Sequence, residues 1–283
     1  AACATRPCRP ERAVRPFHPA ASLPALSLSR VPAFNALAVG PLPPLPDVRP
    51  GDDLAALLAD AAPADLADGD VLVVAHKVVS KAEGRVRSLD EIEPGERARV
   101  LAAEHRKDPR LVQAVLDESA GIVRARDGVL VCETRHGFVC ANAGVDQSNA
   151  SRPGELVLLP EDPDASAGGL REGLAAARGT RPAVVIADSF GRAWRLGQTD
   201  VAIGVAGLRA LDPWIGRPDA YGRELRATSI AIADAVAAAA DLVRTKDSRQ
   251  PAVLVRGLER YVTAEDGPGG AALRRPREDD LFR

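Results

Sequence analysis

The stretch that decides the fold is Ala183 to Gly204, AVVIADSFGRAWRLGQTDVAIG. Its β-branched run Val184, Val185 and Ile186 reads as a strand buried in the core, because apolar residues fall at consecutive rather than alternate positions. Asp188 and Ser189 then stand where such a strand is expected to end. A loop with Arg192, Trp194 and Arg195 between two glycines is expected next, followed by Gln198, Thr199 and Asp200. A core strand that delivers Asp-Ser to its end and runs into an Arg/Gly loop suits a metal and a phosphate. An aspartate that merely caps a strand end accounts for the stretch equally well.

The chain has 283 residues, enough for one large domain or two small ones with a sizeable core. A net charge of −2 gives no electrostatic reason to expect nucleic acid or an anionic membrane as partner. No apolar run approaches the roughly 18 residues of a membrane span, so the expectation is a cytoplasmic protein. The cysteines Cys3, Cys8, Cys132 and Cys140 match no zinc spacing and are too few for a disulfide scaffold.

Outward from the opening stretch, residues 1–30 combine five arginines with Ala, Pro and Ser and read as a disordered tail. The rest, 31–283, is expected to form one functional domain. The proline-studded segment from Val31 to Val48 reads as extended chain. Asp52 or Asp53 caps a short helix over Leu54 to Ala62. Val71 to Ala75 is a buried strand, followed by a crowd of His76, Lys77, Ser80, Lys81, Glu83 and Arg85 that suits an anionic ligand. Glu91 to Asp117 reads as a scaffold helix. Val129–Thr134 and Phe138–Ala143 form a hairpin through Arg135-His136-Gly137, with Cys132 opposite Cys140.

That hairpin leads into Asn142-Ala143-Gly144-Val145-Asp146-Gln147-Ser148-Asn149, whose small residues would let backbone approach a ligand. Leu156 to Leu159 follows as a strand and Asp164 to Arg178 as a helix. Glu224 to Val243 reads as a long Ala-rich helix with Asp234 and Asp241 on a solvated face, and Pro251 to Arg256 as a last strand. Asp146 and Asp188 thus share a setting, each a carboxylate after an apolar strand. Two carboxylates converging on one point repel unless a divalent cation lies between them.

LPDVRPGDDL (45–54), VSKAEGR (79–85), ANAGVDQSN (141–149), ADSFGRAWRLGQTD (187–200), YGREL (221–225) and the closing EDDLFR occur in this order. Together they resemble the coenzyme F(420)-0:L-glutamate ligase (γ-glutamyl ligase) family, in its stand-alone bacterial-type form, from about Leu45 onward. The resemblance implies an α+β fold of mixed sheets and helices in two intimately joined subdomains. It implies a GTP-dependent ligase that adds L-glutamate to the deazaflavin precursor by an amide bond through an acyl phosphate. Mg²⁺ or Mn²⁺ (two divalent ions), with K⁺ as an optional further ion, and a homodimer are implied with it.

By motif, the resemblance makes Asp146 and Asp188 metal ligands, with Ser189 where a Thr usually stands. Leu45, Pro46, Asp47, Val48, Lys81 and Asn149 become guanine-nucleotide contacts, and so does His76, at a position that is often Ser. Pro44 replaces a usual Gly, and Thr245-Lys246 replaces the usual Gly-Lys or Gly-Glu, so no metal ligand is expected there. Arg192 and Arg195 are candidates for phosphate oxygens on charge and position alone. Two other readings stand beside this one: the same ligation onto a folate-like acceptor, and a nucleotide-binding module without ligase activity.

Overall fold

The computed structural model describes residues 36–281, so the expected tail over 1–30 and the extended chain before residue 36 lie outside the described residues. In chain order the strands and helices are β1 (Ala38–Pro41), α1 (Leu54–Ala61), β2 (Val71–Ala75), α2 (His76–Ala82), β3 (Val86–Ser88), α3 (Glu96–His105) and α4 (Pro109–Asp117). There follow β4 (Ser119–Arg126), β5 (Val129–Thr134), β6 (Val139–Ala141), β7 (Glu155–Val157), α5 (Pro163–Arg178), β8 (Ala183–Arg192) and β9 (Arg195–Ala206). The last are β10 (Leu211–Pro213), β11 (Ser229–Ala231), α6 (Ile232–Asp241) and β12 (Ala252–Arg256).

The central sheet has the order β1-β12-β2-β8-β9, with β2 and β8 parallel and the other pairs antiparallel. Its three inner strands are apolar over Val71–Ala75, Ala183–Ala187 and Ala252–Val255, because both faces are covered there. Leu72, Val74, Val184 and Ile186 pack with α1 and α5, while Val71, Val73, Val185 and Ala187 pack with α6 on the other face. A further apolar core forms where α3 and α4 cover the sheet β4-β5-β6; it contains Val112, Val115, Leu130, Cys132, Ala143, Val145 and Leu156. The architecture is α+β with mixed sheets, as expected.

Three sequence expectations give way to the structure. The region Glu91 to Asp117 is two helices, because Arg106 turns left-handed (φ 54°) and Asp108 caps a new start at Pro109. The expected helix Glu224 to Val243 begins only at Ile232, since Ser229–Ala231 pairs with β10 instead. Alanine content sets helix propensity but not the competing strand pairing. β4 was not anticipated, because its polar residues, half-exposed on one side, leave little apolar alternation. The hairpin register holds as read, with Cys132 opposite Cys140 and Gly137 at φ 87° in the turn.

The expected Arg/Gly loop is the largest correction. β8 does not stop before Asp188 but continues to Arg192, turns at Ala193-Trp194, and returns as β9. Ile186 opposes Gly204 while Ala187 opposes Ala202, so Ile203 is an extra residue that bulges β9 just before Asp188. Such a bulge re-aims the side chains that follow it.

Candidate functional site

Two parallel strands end side by side: Ala75 of β2 pairs with Ala187 of β8. The next residues, His76 and Asp188, therefore become neighbours, and His76 Nε2 lies 3.2 Å from Asp188 Oδ1. No loop separates β2 from α2, so Lys77 and Lys81 project from a helix that starts at the sheet's carboxyl edge. The same edge receives the start of β12, where the Ala75 amide donates to the Pro251 carbonyl at 2.8 Å. Open α/β sheets bind ligands at this edge, where connections diverge.

A cavity of about 850 Å³ opens there, within the size range of small-molecule sites. Its lining includes Leu45, Pro46, Asp47, Val48, His76, Lys81, Asp146, Asn149, Asp188 and Ser189. These are the residues that the resemblance singled out, brought together from four separate segments. Arg192 and Arg195 are not among them. They sit at the far end of the β8–β9 ribbon, exposed to solvent, about 13 Å of strand beyond Asp188 at ~3.3 Å per residue. The expectation that they reach phosphate from this chain's own cavity is corrected on that ground. Arg244 and Lys246 line the cavity in their stead.

Each wall follows from local sequence. Leu42, Leu45 and Val48 are buried while the residues between them are exposed, the three-residue spacing of polyproline-type chain that Pro41, Pro43, Pro44 and Pro46 favour. The Leu45 amide and the Leu42 carbonyl are tied to Arg249 and Gln250, and Asp47, pointing outward, lies 3.6 Å from Lys81 Nζ. Asp146 arrives from the smaller core through a bridge in which its amide and carbonyl both pair with Val157. Gly144, at φ 74°, is small for a different reason than expected: a Cβ there would meet Leu159 at 2.6 Å. Ala143 is likewise buried in the smaller core, so this stretch is shaped by packing rather than by the approach of a ligand.

The electrostatics are those of acids held by bases. Asp146 Oδ2 accepts from Lys77 Nζ at 2.6 Å and from the Ser148 hydroxyl at 2.9 Å, while Oδ1 accepts from the Ser148 amide at 2.7 Å. Burial pushes the Asp146 carboxyl up, but these donors outweigh it and hold the group below its ordinary range. Burial also opposes ionisation of Asp188, and the His76 imidazole, the Ser189 amide and the charge of Lys77 together hold it low. His76 is 2 % exposed, with Nδ1 3.4 Å from Ser80 Oγ; its ring serves Asp188 more than the cavity.

Behind Ser189 lies a second group that the sequence did not reveal. Ser189 Oγ donates to Asp200 Oδ1 at 2.6 Å and receives Lys246 Nζ at 2.6 Å. Asp200 is buried and paired with Arg244. The register Ser189↔Asp200 is set by the turn at Ala193-Trp194, and that turn was expected as an open loop. Thr245-Lys246 was visible only as a departure from the family pattern, with no sign that the Lys246 ammonium reaches Ser189.

Asp146, Asp188 and Ser189 offer the hard oxygen donors that Mg²⁺ or Mn²⁺ take. Among the described residues no three His, Cys, Asp or Glu side chains converge tightly enough to hold a metal by themselves. The donor set therefore fits an ion whose remaining ligands come from a substrate, as Mg²⁺ commonly takes one or two carboxylates plus phosphate oxygens.

Residues 44–257 match the family described as F420-0:Gamma-glutamyl ligase. The chain belongs to this family. It is 48% identical over 249 residues to a protein of Methanopyrus kandleri named coenzyme F420:L-glutamate ligase, covering 87% of this chain and 98% of that one. Proteins of the same name from Methanothermobacter thermautotrophicus and Archaeoglobus fulgidus are 47% and 44% identical, covering 84% and 87% of this chain and 96% of each relative. The cavity described above is thus the candidate active site of a ligase. No helix among the described residues is long and apolar enough to cross a membrane.

Proposed function

We propose that this ligase adds L-glutamate through an amide bond to the deazaflavin precursor F420-0, using GTP and an acyl phosphate on the acceptor carboxylate. The observation that carries the reading is the convergence of Asp146, Asp188, Ser189, Lys81, Asn149 and the Leu45–Val48 segment on one cavity. Phosphoryl transfer needs positioning and charge neutralisation more than a protein nucleophile, and this cavity supplies both.

In the proposed sequence the acceptor carboxylate attacks the γ-phosphorus and GDP leaves. The glutamate amine then attacks the acyl carbon, expelling inorganic phosphate and losing a proton. Asp146 and Asp188, with Ser189, would hold a divalent ion, which when bound would neutralise phosphate oxygens. Lys81 and Lys246 offer further positive charge, Lys81 on the Asp47 side and Lys246 on the Ser189 side. Asp200 and Arg244 keep the Ser189 hydroxyl in place.

Purified protein incubated with GTP, Mg²⁺ or Mn²⁺, L-glutamate and F420-0 is expected to yield a product one glutamate heavier by mass spectrometry. Asp188→Asn is expected to lose both turnover and metal dependence. No mass shift, with a known ligase active in parallel, would rule the reading out. A shift seen only with a folate acceptor run alongside would reassign the substrate. GTP binding without any product would leave a nucleotide-binding module.

A further inference from the structure

Lys77 lies in the first turn of α2 and belongs to none of the motif positions carried over above. Its ammonium is 2.6 Å from Asp146 Oδ2 and 2.6 Å from Ser148 Oγ, and the side chain is 19 % exposed. Its charge also helps to hold the carboxyl of Asp188, the partner of His76, low. The other cavity lysines are engaged elsewhere, Lys81 with Asp47 and Lys246 with Ser189. Asp146 thus has both oxygens occupied by protein donors before any ligand arrives.

A divalent ion arriving alone must displace this ammonium and leave it beside a like charge. An ion arriving with a triphosphate brings anionic oxygens to which the displaced ammonium can turn. Resting on the proposed reading of the cavity, we infer that Lys77 is a positioning residue. It neutralises the Asp146 carboxylate in the free enzyme and so makes divalent-ion binding depend on nucleotide.

The test is Mn²⁺ binding to the full chain, read from the electron paramagnetic resonance signal of free Mn²⁺, with and without GTP. The Mn²⁺ complexed by GTP in solution is subtracted. Wild-type protein is expected to bind Mn²⁺ weakly alone and much more tightly with GTP. Lys77→Met is expected to bind Mn²⁺ alone about tenfold more tightly than wild type, the effect of one charge at a few ångströms in a half-solvated site. Its dependence on GTP should shrink in step. Lys77→Arg should behave as wild type, and Lys77→Gln gives the same comparison if the Met variant fails to fold. Unchanged affinity for Mn²⁺ alone in the neutral variants would overturn the inference. Equilibrium dialysis with labelled GTP separates the two readings: a wild type that retains no GTP fails the proposed function, whereas the Mn²⁺-only comparison still decides Lys77.

Discussion

Cys140 shows how position rather than residue type fixes chemistry. It stands opposite Cys132 in the β5–β6 hairpin, both thiols are free, and both are buried. Burial pushes the Cys140 thiol up to about 12, with the nearby Asp188 and Cys132 adding to the rise; burial raises Cys132 as well. Since the thiolate is the reactive form, neither residue is expected to be alkylated by iodoacetamide at pH 8 in the folded protein. Peptide mapping should find both modified once urea unfolds the chain. Labelling of Cys140 in native protein would show that the hairpin is open. At the same scale Asp234, expected on a solvated face, accepts from the Ala202 amide at 2.9 Å and is half-buried. Its seven-residue spacing from Asp241 was read correctly as one helix face, but the sequence held no sign that β9 lies against it.

The β8–β9 ribbon is the element on which the site depends. It carries Asp188, Ser189 and Asp200, and its bulge at Ile203 sets their direction. Gly204, next to the bulge, packs so closely against α5 that a Cβ would run into the Pro163 carbonyl oxygen. Backbone cannot yield as a flexible side chain can, so overpacking here is expected to cost about 1–3 kcal/mol. Gly204→Ala should lower the urea midpoint by a corresponding amount, and an unchanged midpoint would mean that α5 shifts freely. The apolar run of β8 was legible because burial on both faces leaves an unbroken Val/Ile signature. Where the strand ended was not, because Phe190, Gly191 and Arg192 are partly exposed and carry no periodic pattern.

Across the whole molecule, the site spans two apolar cores. Asp188 belongs to the central sheet and Asp146 to the smaller core, and the Lys77–Asp146 pair ties them together. Both carboxyls are held below their ordinary range in the folded chain. A depressed folded pKa contributes stability that is present above the unfolded value and lost as pH falls through the folded one. The ligand-free protein is therefore expected to lose stability as pH drops below about 4, the ordinary carboxylate range. Asp146→Asn should flatten part of that loss in urea titrations at successive pH values. An identical pH profile in the variant would show that the pair between the cores adds nothing, as is common for exposed ion pairs.

The sequence by itself determined the buried strands, the hairpin register of Cys132 and Cys140, and the motif residues, though not the cations, that meet in the cavity. These are local or motif-borne properties: an apolar run, a turn glycine, a spacing that one segment carries alone. Only the tertiary structure decided that β8 continues past Asp188 into a ribbon, which carries Arg192 and Arg195 away from the cavity. It also decided that Lys77, Arg244 and Lys246 are the cations facing the acids. The physical reason is that a charge's partner is fixed by distance through space. Lys77 and Asp146 are 69 residues apart in the chain, and only the packing of the smaller core against the sheet edge makes them neighbours.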